Sequence, residues 1–152
     1  MTTYEVLLTL HVLAAIVWLG GSIMVLVLGY LQRSAPIEQR VGYTKLTERV
    51  GNLVFAPASI LLILAGSFLV DEAGYDYSDT WVILGYAGWF VSFVLGVGFY
   101  GPQGKRRDAV IEANGISDPG VAANVDRVLT VATFDTLIIT LVVLDMTTKP
   151  FL

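Results

Sequence analysis

The sequence predicts an all-α membrane protein, an antiparallel four-helix transmembrane bundle with both termini outside. Three observations carry this reading: the bulk composition, four long apolar stretches, and the segregation of basic residues between the loops. The 152 residues are 55% hydrophobic and only 14% charged, with a mean hydropathy of +0.72. A soluble domain of this size cannot hide so much apolar surface, because its surface is large relative to its volume and about a quarter of an ordinary soluble chain is charged. Lipid is the solvent that suits it. The chain contains no cysteine, which excludes disulfides, thiolate chemistry and Cys-based zinc or iron–sulfur sites.

About 20 apolar residues are needed to cross the hydrocarbon core as a helix. Four stretches qualify within a single membrane domain, at about 4–31, 53–70, 81–100 and 128–147. They are continuously apolar rather than alternating, which favours helices over barrel strands. The first is too long for a signal-peptide core and no Lys or Arg precedes it, so it reads as a retained helix.

The connections set the orientation. Loop 32–52 carries Arg33, Arg40, Lys45 and Arg49, and loop 101–127 carries Lys105, Arg106, Arg107 and Arg127. Loop 71–80 has no basic residue and four acids, Asp71, Glu72, Asp76 and Asp79. The positive-inside rule places the two basic loops in the cytoplasm and the acidic loop and both termini outside, as expected for a protein of a bacterial inner membrane. Of the nine basic residues only Lys149 falls elsewhere.

Local signals agree. Thr2-Thr3-Tyr4-Glu5 is a T-x-x-E capping box for the first helix. Pro36 opens a cytoplasmic extension of the second. A short helix is expected over Lys105–Asn114, stopped by Gly115, and Ser117-Asp118-Pro119 reads as an N-cap with an early proline for the fourth. Tyr4, Tyr75, Tyr77, Trp81, Tyr100 and Phe151 fall near the two interfaces. No internal repeat is evident.

Gly88, Ser92 and Gly96 recur every four residues, a small-residue row that lets another backbone approach, within the bundle or in a dimer. Gly96–Gly101 matches G-x-G-x-x-G in letter only, since no strand precedes it. Pro57 is expected to kink its helix and leave the Leu53 carbonyl short of a donor.

Ionisable groups inside lipid are costly and are functional candidates by default. His11, the only histidine, lies about 10 Å below the outer surface at 1.5 Å per residue. It shares a helical stripe with Ala14, Ala15, Trp18 and Ser22, so His11, Trp18 and Ser22 are expected to line a small intramembrane pocket. Three readings of His11 stand open: a buried structural histidine, a haem or metal ligand, and a proton-relay or solute-binding group. Asp135, seven residues into the fourth span from the other side, is either a neutral acid bonded across helices or a proton- or cation-handling group. The two depths differ by roughly 9 Å on the same rise, so no direct hydrogen bond between them is expected. Asp145 and Lys149 are expected to pair at i,i+4. Lys105, Arg106 and Arg107 read as topology determinants that touch anionic lipid.

His11 seven residues before Trp18, with Gly20 following, resembles the first helix of several four-helix bacterial membrane families. The segments Asn52–Ser59, Gly98–Gln103, Asp145-Met146 and Lys149-Pro150 resemble, over nearly the whole chain, an actinobacterial-type family of predicted integral membrane proteins of unknown function, loosely akin to copper-resistance-D-like proteins. That resemblance implies the fold and leaves activity open. The first helix also resembles that of membrane protoporphyrinogen oxidases, where the histidine matching His11 is taken to bind haem. Their lysine in helix three has no counterpart here. For copper, the chain offers one His, no Cys, and Met1, Met24 and Met146, a poor set for the soft ion.

With no nucleophile–base pair and no nucleotide motif, the expected function is a structural, accessory or transport-related bundle with a buried polar centre at His11 and Asp135. The alternative is an intramembrane haem- or metal-binding protein using His11. An enzyme ranks last. No cofactor is assigned, since haem held by two histidines would need a dimer. The expected partners are the lipid bilayer and either a second copy or a larger membrane complex, not nucleic acid.

Overall fold

A computed structural model describes residues 2–149. Met1, among the copper-ligand candidates, Pro150 of the Lys149-Pro150 pair and Phe151 of the aromatic set lie outside the described residues. Six α-helices follow in order: α1 (Thr3–Leu31), α2 (Ile37–Val50), α3 (Ala56–Ala73), α4 (Thr80–Leu95), α5 (Gly101–Asn114) and α6 (Pro119–Thr148). A single π-helical turn, Gly51–Phe55, joins α2 to α3, and another, Gly96–Tyr100, joins α4 to α5. The described residues therefore form four rods, Thr3–Leu31, Ile37–Ala73, Thr80–Asn114 and Pro119–Thr148, each with a stretch long and apolar enough to cross a membrane. The shortest, of 29 residues, runs about 43 Å at 1.5 Å per residue, more than the hydrocarbon core needs.

The capping chemistry read from the sequence is present. Glu5 N–H donates to Thr2 Oγ1 at 3.2 Å and Thr2 N–H to Glu5 Oε2 at 2.8 Å. Gly74, with φ 72°, closes α3 in a Schellman motif: Tyr75 N–H bonds Val70 O and Gly74 N–H bonds Asp71 O. Asp118 caps α6 through Gly120 N–H at 2.7 Å, with Pro119 in its first turn.

One expectation is corrected: the helix expected over Lys105–Asn114 starts at Gly101 and continues the third rod, although it does stop at Gly115. At Pro57 the helical rod runs on. The helix widens before it, so that Ala56 N–H reaches Gly51 O, five residues back, and Pro57 falls in the first turn of α3. The second π turn stands in the same relation to Pro102. Gly51-Asn52-Leu53-Val54-Phe55-Ala56-Pro57 and Gly96-Val97-Gly98-Phe99-Tyr100-Gly101-Pro102 share glycine six residues before proline, an aromatic two before and a small residue one before. A proline lacks an N–H and crowds the carbonyl four residues back, and one inserted residue in the preceding turn moves that carbonyl away.

α1 packs along α3, α4 along α6, and α1 also meets α6. By contrast α3 and α4 hold their backbones apart and are bridged by long side chains: Trp89 Nε1–H to Ser59 O at 3.1 Å and Tyr86 to Ser67 at 2.6 Å. Of the small-residue row, Gly88 admits the Val142 and Ile138 side chains of α6. Gly88 thus packs within the bundle, whereas a Cβ at Gly96 would meet nothing within 4 Å. Three apolar clusters stack along the molecule: Val70, Trp81 and Val82 at the end bearing the acidic turn, Ala14, Trp18, Leu62 and Ile139 in the middle, and Val41, Val121 and Val125 among the helical extensions. Ile16, Phe90 and Leu141 point outward, 61%, 59% and 64% exposed, an apolar exterior suited to lipid.

Candidate functional site

His11 sits in a seat built by α3. Its Nδ1 lies 2.9 Å from the carbonyl oxygen of Leu62. A carbonyl can only accept, so Nδ1 carries a proton, and in the neutral ring Nε2 then keeps the lone pair. The ring can come this close because residue 66 is glycine: a Cβ there would stand 2.9 Å from His11 Cε1 and 3.0 Å from Nδ1. No protein group among the described residues bonds Nε2. The backbone-bonded Nδ1–H with an open Nε2 is the arrangement that fixes tautomer and ring direction when imidazole serves as a ligand.

His11 forms part of the wall of a cavity of about 600 Å³ between α1, α3, α4 and α6, within the ~300–1,000 Å³ usual for small-molecule sites. The lining is mostly apolar and includes Ala15, Trp18, Leu62, Gly66, Val82 and Gly85. Its space comes from the separation of α3 and α4. Ser67 and Tyr86, which bridge that gap, are also in the wall. Of the expected pocket, His11 and Trp18 line the cavity and Ser22 does not. The Ser22 hydroxyl donates to Trp18 O, one turn back, at 2.7 Å.

Asp135 belongs to a different place. Its Oδ1 accepts a short hydrogen bond from the Ser92 hydroxyl, and its Oδ2 accepts from Tyr100 Oη at 3.3 Å. Both donors come from the third rod, Tyr100 from the π turn itself, so the cluster ties that rod to α6. Asp135 is absent from the cavity wall, and His11 and Asp135 do not form one polar centre.

At the acidic-turn end, the expected Asp145–Lys149 pair does not form. Lys149 has φ 41°, which turns the chain out of helix, and its Nζ donates to Tyr75 Oη at 2.6 Å. The ammonium also lies 4.0 Å from the Tyr75 ring centroid and 4.7 Å from that of Trp81. Two aromatic faces and a phenol oxygen have displaced the carboxylate as its partner. Both Asp145 carboxylate oxygens and Trp81 Nε1 are buried with no hydrogen-bond partner among the described residues.

At the opposite end, Arg107 is fully buried and is not a lipid-facing residue. Its Nη1 meets Glu48 Oε1 at 2.6 Å and its Nη2 meets Glu48 Oε2 at 3.2 Å, while Nε and Nη2 both bond Asp108 at 3.1 Å. Gly104 leaves room for the Glu48 carboxylate. Lys105 and Arg106 remain exposed. Lys45 reaches Asp108 at 3.2 Å and Arg40 reaches Asp126 at 2.6 Å, so α2, α5 and α6 are locked by ion pairs. Burial opposes ionisation of Asp108, but Lys45 and Arg107 outweigh it and hold the carboxyl below its usual range.

Sequence reasoning did not find Gly66, Leu62, Ser67 or Tyr86. Gly66 carried a signal, because glycine inside a helix costs about 1 kcal/mol against alanine and marks a close approach. Among the described residues, no group of three or more His, Asp or Glu could hold a metal ion. No curated protein and no solved structure matches the chain. Its residues 5–150 match the profile of DUF2269, described as predicted integral membrane proteins, and the chain belongs to that family.

Proposed function

We propose that this protein binds an apolar small molecule within the membrane, in the cavity between α1, α3, α4 and α6, with His11 Nε2 as its polar contact. The observation that supports this reading is the seat of His11: Nδ1 fixed on Leu62 O, the ring against Gly66, and an unpartnered lone pair at the wall of an apolar cavity. Trp18 supplies a flat wall. Asp135 takes the structural role in this reading, as the acceptor that joins Ser92 and Tyr100 to α6.

Haem is the special case in which the group facing Nε2 is iron. A second protein ligand would then have to come from a second copy, because the chain has one histidine and no cysteine. Protein purified from its native membrane distinguishes the cases. A small molecule extracted from wild-type protein and absent from His11→Ala supports the binding reading, and a Soret band lost in that variant identifies the molecule as haem. Wild-type and His11→Ala protein that carry identical extracts, and that both ignore added haem and apolar probes, would overturn it.

The charge asymmetry supports a topology with the basic loops 32–52 and 101–127 in the cytoplasm and the acidic turn and both termini outside.

A further inference from the structure

The protons along the cavity wall can be accounted for one by one. His11 spends its one N–H on Leu62 O, which leaves Nε2 a pure acceptor. The Ser67 hydroxyl donates to Ile63 O, one turn back, at 2.7 Å. The 2.6 Å contact between Ser67 Oγ and Tyr86 Oη then has only one proton left to form it, that of Tyr86. Tyr86 is therefore the donor and has no further proton to give. On α3, the residue that bonds Tyr86 follows directly on the one that seats His11, and all three side chains offer the cavity lone pairs alone. Trp18, two helical turns further along α1, is the donor-bearing side chain of the inner wall. The remaining donors, on Tyr4, Tyr75, Trp81, Thr147 and Lys149, stand toward the acidic-turn end.

We infer that the cavity takes an apolar molecule that brings its own hydrogen-bond donor, an alcohol or phenol whose hydroxyl meets His11 Nε2. A ketone, ether or carboxylate of the same shape, placed against His11 Nε2, would set acceptor against acceptor and leave both desolvated. This inference rests on the binding reading above and narrows its ligand class.

A matched pair of probes tests it: 4-dodecylphenol, and its methyl ether, which has nearly the same shape and no donor. The protein, labelled with ¹⁵N-histidine and held in lipid nanodiscs, gives one imidazole to watch. Each probe is titrated by mole fraction in the lipid. The phenol is expected to saturate at several-fold to about tenfold lower mole fraction than the ether, the gap one net hydrogen bond gives, and to move the Nε2 resonance. Ser67→Ala should narrow the gap, because Tyr86 then loses its acceptor and turns its proton to the cavity. Equal affinities, a tighter ether, or a gap unchanged or wider in Ser67→Ala would overturn the donor inference and leave the cavity reading in place. So would a haem band in native protein that depends on His11. Failure of both probes to saturate would overturn both readings.

Discussion

The imidazole of His11 and the backbone of Gly66 occupy adjoining space on facing helices, the ring standing where the glycine lacks a side chain. The contact explains how α1 and α3 pack so closely beside a large cavity and why the ring points one way. Gly66→Ala places a methyl group about 3 Å from Cε1 and Nδ1 and has to displace the ring from Leu62 O. The expected cost is about 1–3 kcal/mol, the usual range for overpacking. A thermal unfolding curve in detergent checks the stability, and the imidazole ¹⁵N pattern checks the ring.

Asp135 offers a second test, one that separates a lock from a proton station. Ser92→Ala removes the hydroxyl that donates to Oδ1 and leaves Tyr100 as the remaining side-chain donor. The expected destabilisation is about 1–3 kcal/mol, the cost of an unsatisfied buried acceptor. In liposomes, Asp135→Asn should leave proton permeability at the wild-type level. A pH-dependent flux present in wild-type and lost in Asp135→Asn would assign the residue to transport instead.

The ion-pair cluster at the extension end should dominate stability there. Arg107→Met leaves Glu48 without its bidentate partner; Glu48 keeps some access to water, so the expected cost is about 1.5–3 kcal/mol, that of a hydrogen bond to a charged group. Arg107→Lys cannot reproduce the fork and should recover only part of the loss. Differential scanning calorimetry of the two variants against wild type measures both.

Acid should weaken the same cluster through Asp108. Its folded pKa is held below the unfolded value, so the stability it contributes is present above about pH 3.9 and is lost as pH falls through the lowered folded value. The unfolding temperature should therefore fall on the acid side more steeply in wild type than in Asp108→Asn. Parallel curves would show that Asp108 contributes nothing.

Orientation can be read without background, because the chain has no cysteine to remove. Single substitutions Ser78→Cys, in the acidic turn, and Ala113→Cys, near the end of α5, are both exposed. An impermeant thiol reagent added to intact cells should label the first and spare the second. The reverse pattern would invert the topology.

The spans were legible because lipid imposes one simple requirement, a long apolar helix, and the caps were legible because Thr2 with Glu5 and Asp118 with Pro119 act within one turn. The π turns escaped that reading. Their cause is a proline whose effect is absorbed one turn earlier, which no single-residue propensity records. Lys149 was assigned to Asp145 by helical spacing, but Tyr75 and Trp81, more than 60 positions away in the chain, hold it instead. His11 stood out at once as a lone imidazole in an apolar run. Its seat did not, because a backbone carbonyl and an absent Cβ on another helix leave no mark at His11 itself. The same limit separates His11 from Asp135: both were visible as polar groups in lipid, and only the fold shows that each has its own partners.

Ligand binding turns on one atom, His11 Nε2, and as the chain has a single histidine that atom is directly observable. A ¹⁵N spectrum of histidine-labelled protein in nanodiscs should show a protonated Nδ1 and an unprotonated Nε2, with Nε2 moving when a cavity ligand is added. A protonated Nε2 beside an unprotonated Nδ1, or a resonance pair unmoved by every apolar ligand offered, would contradict it.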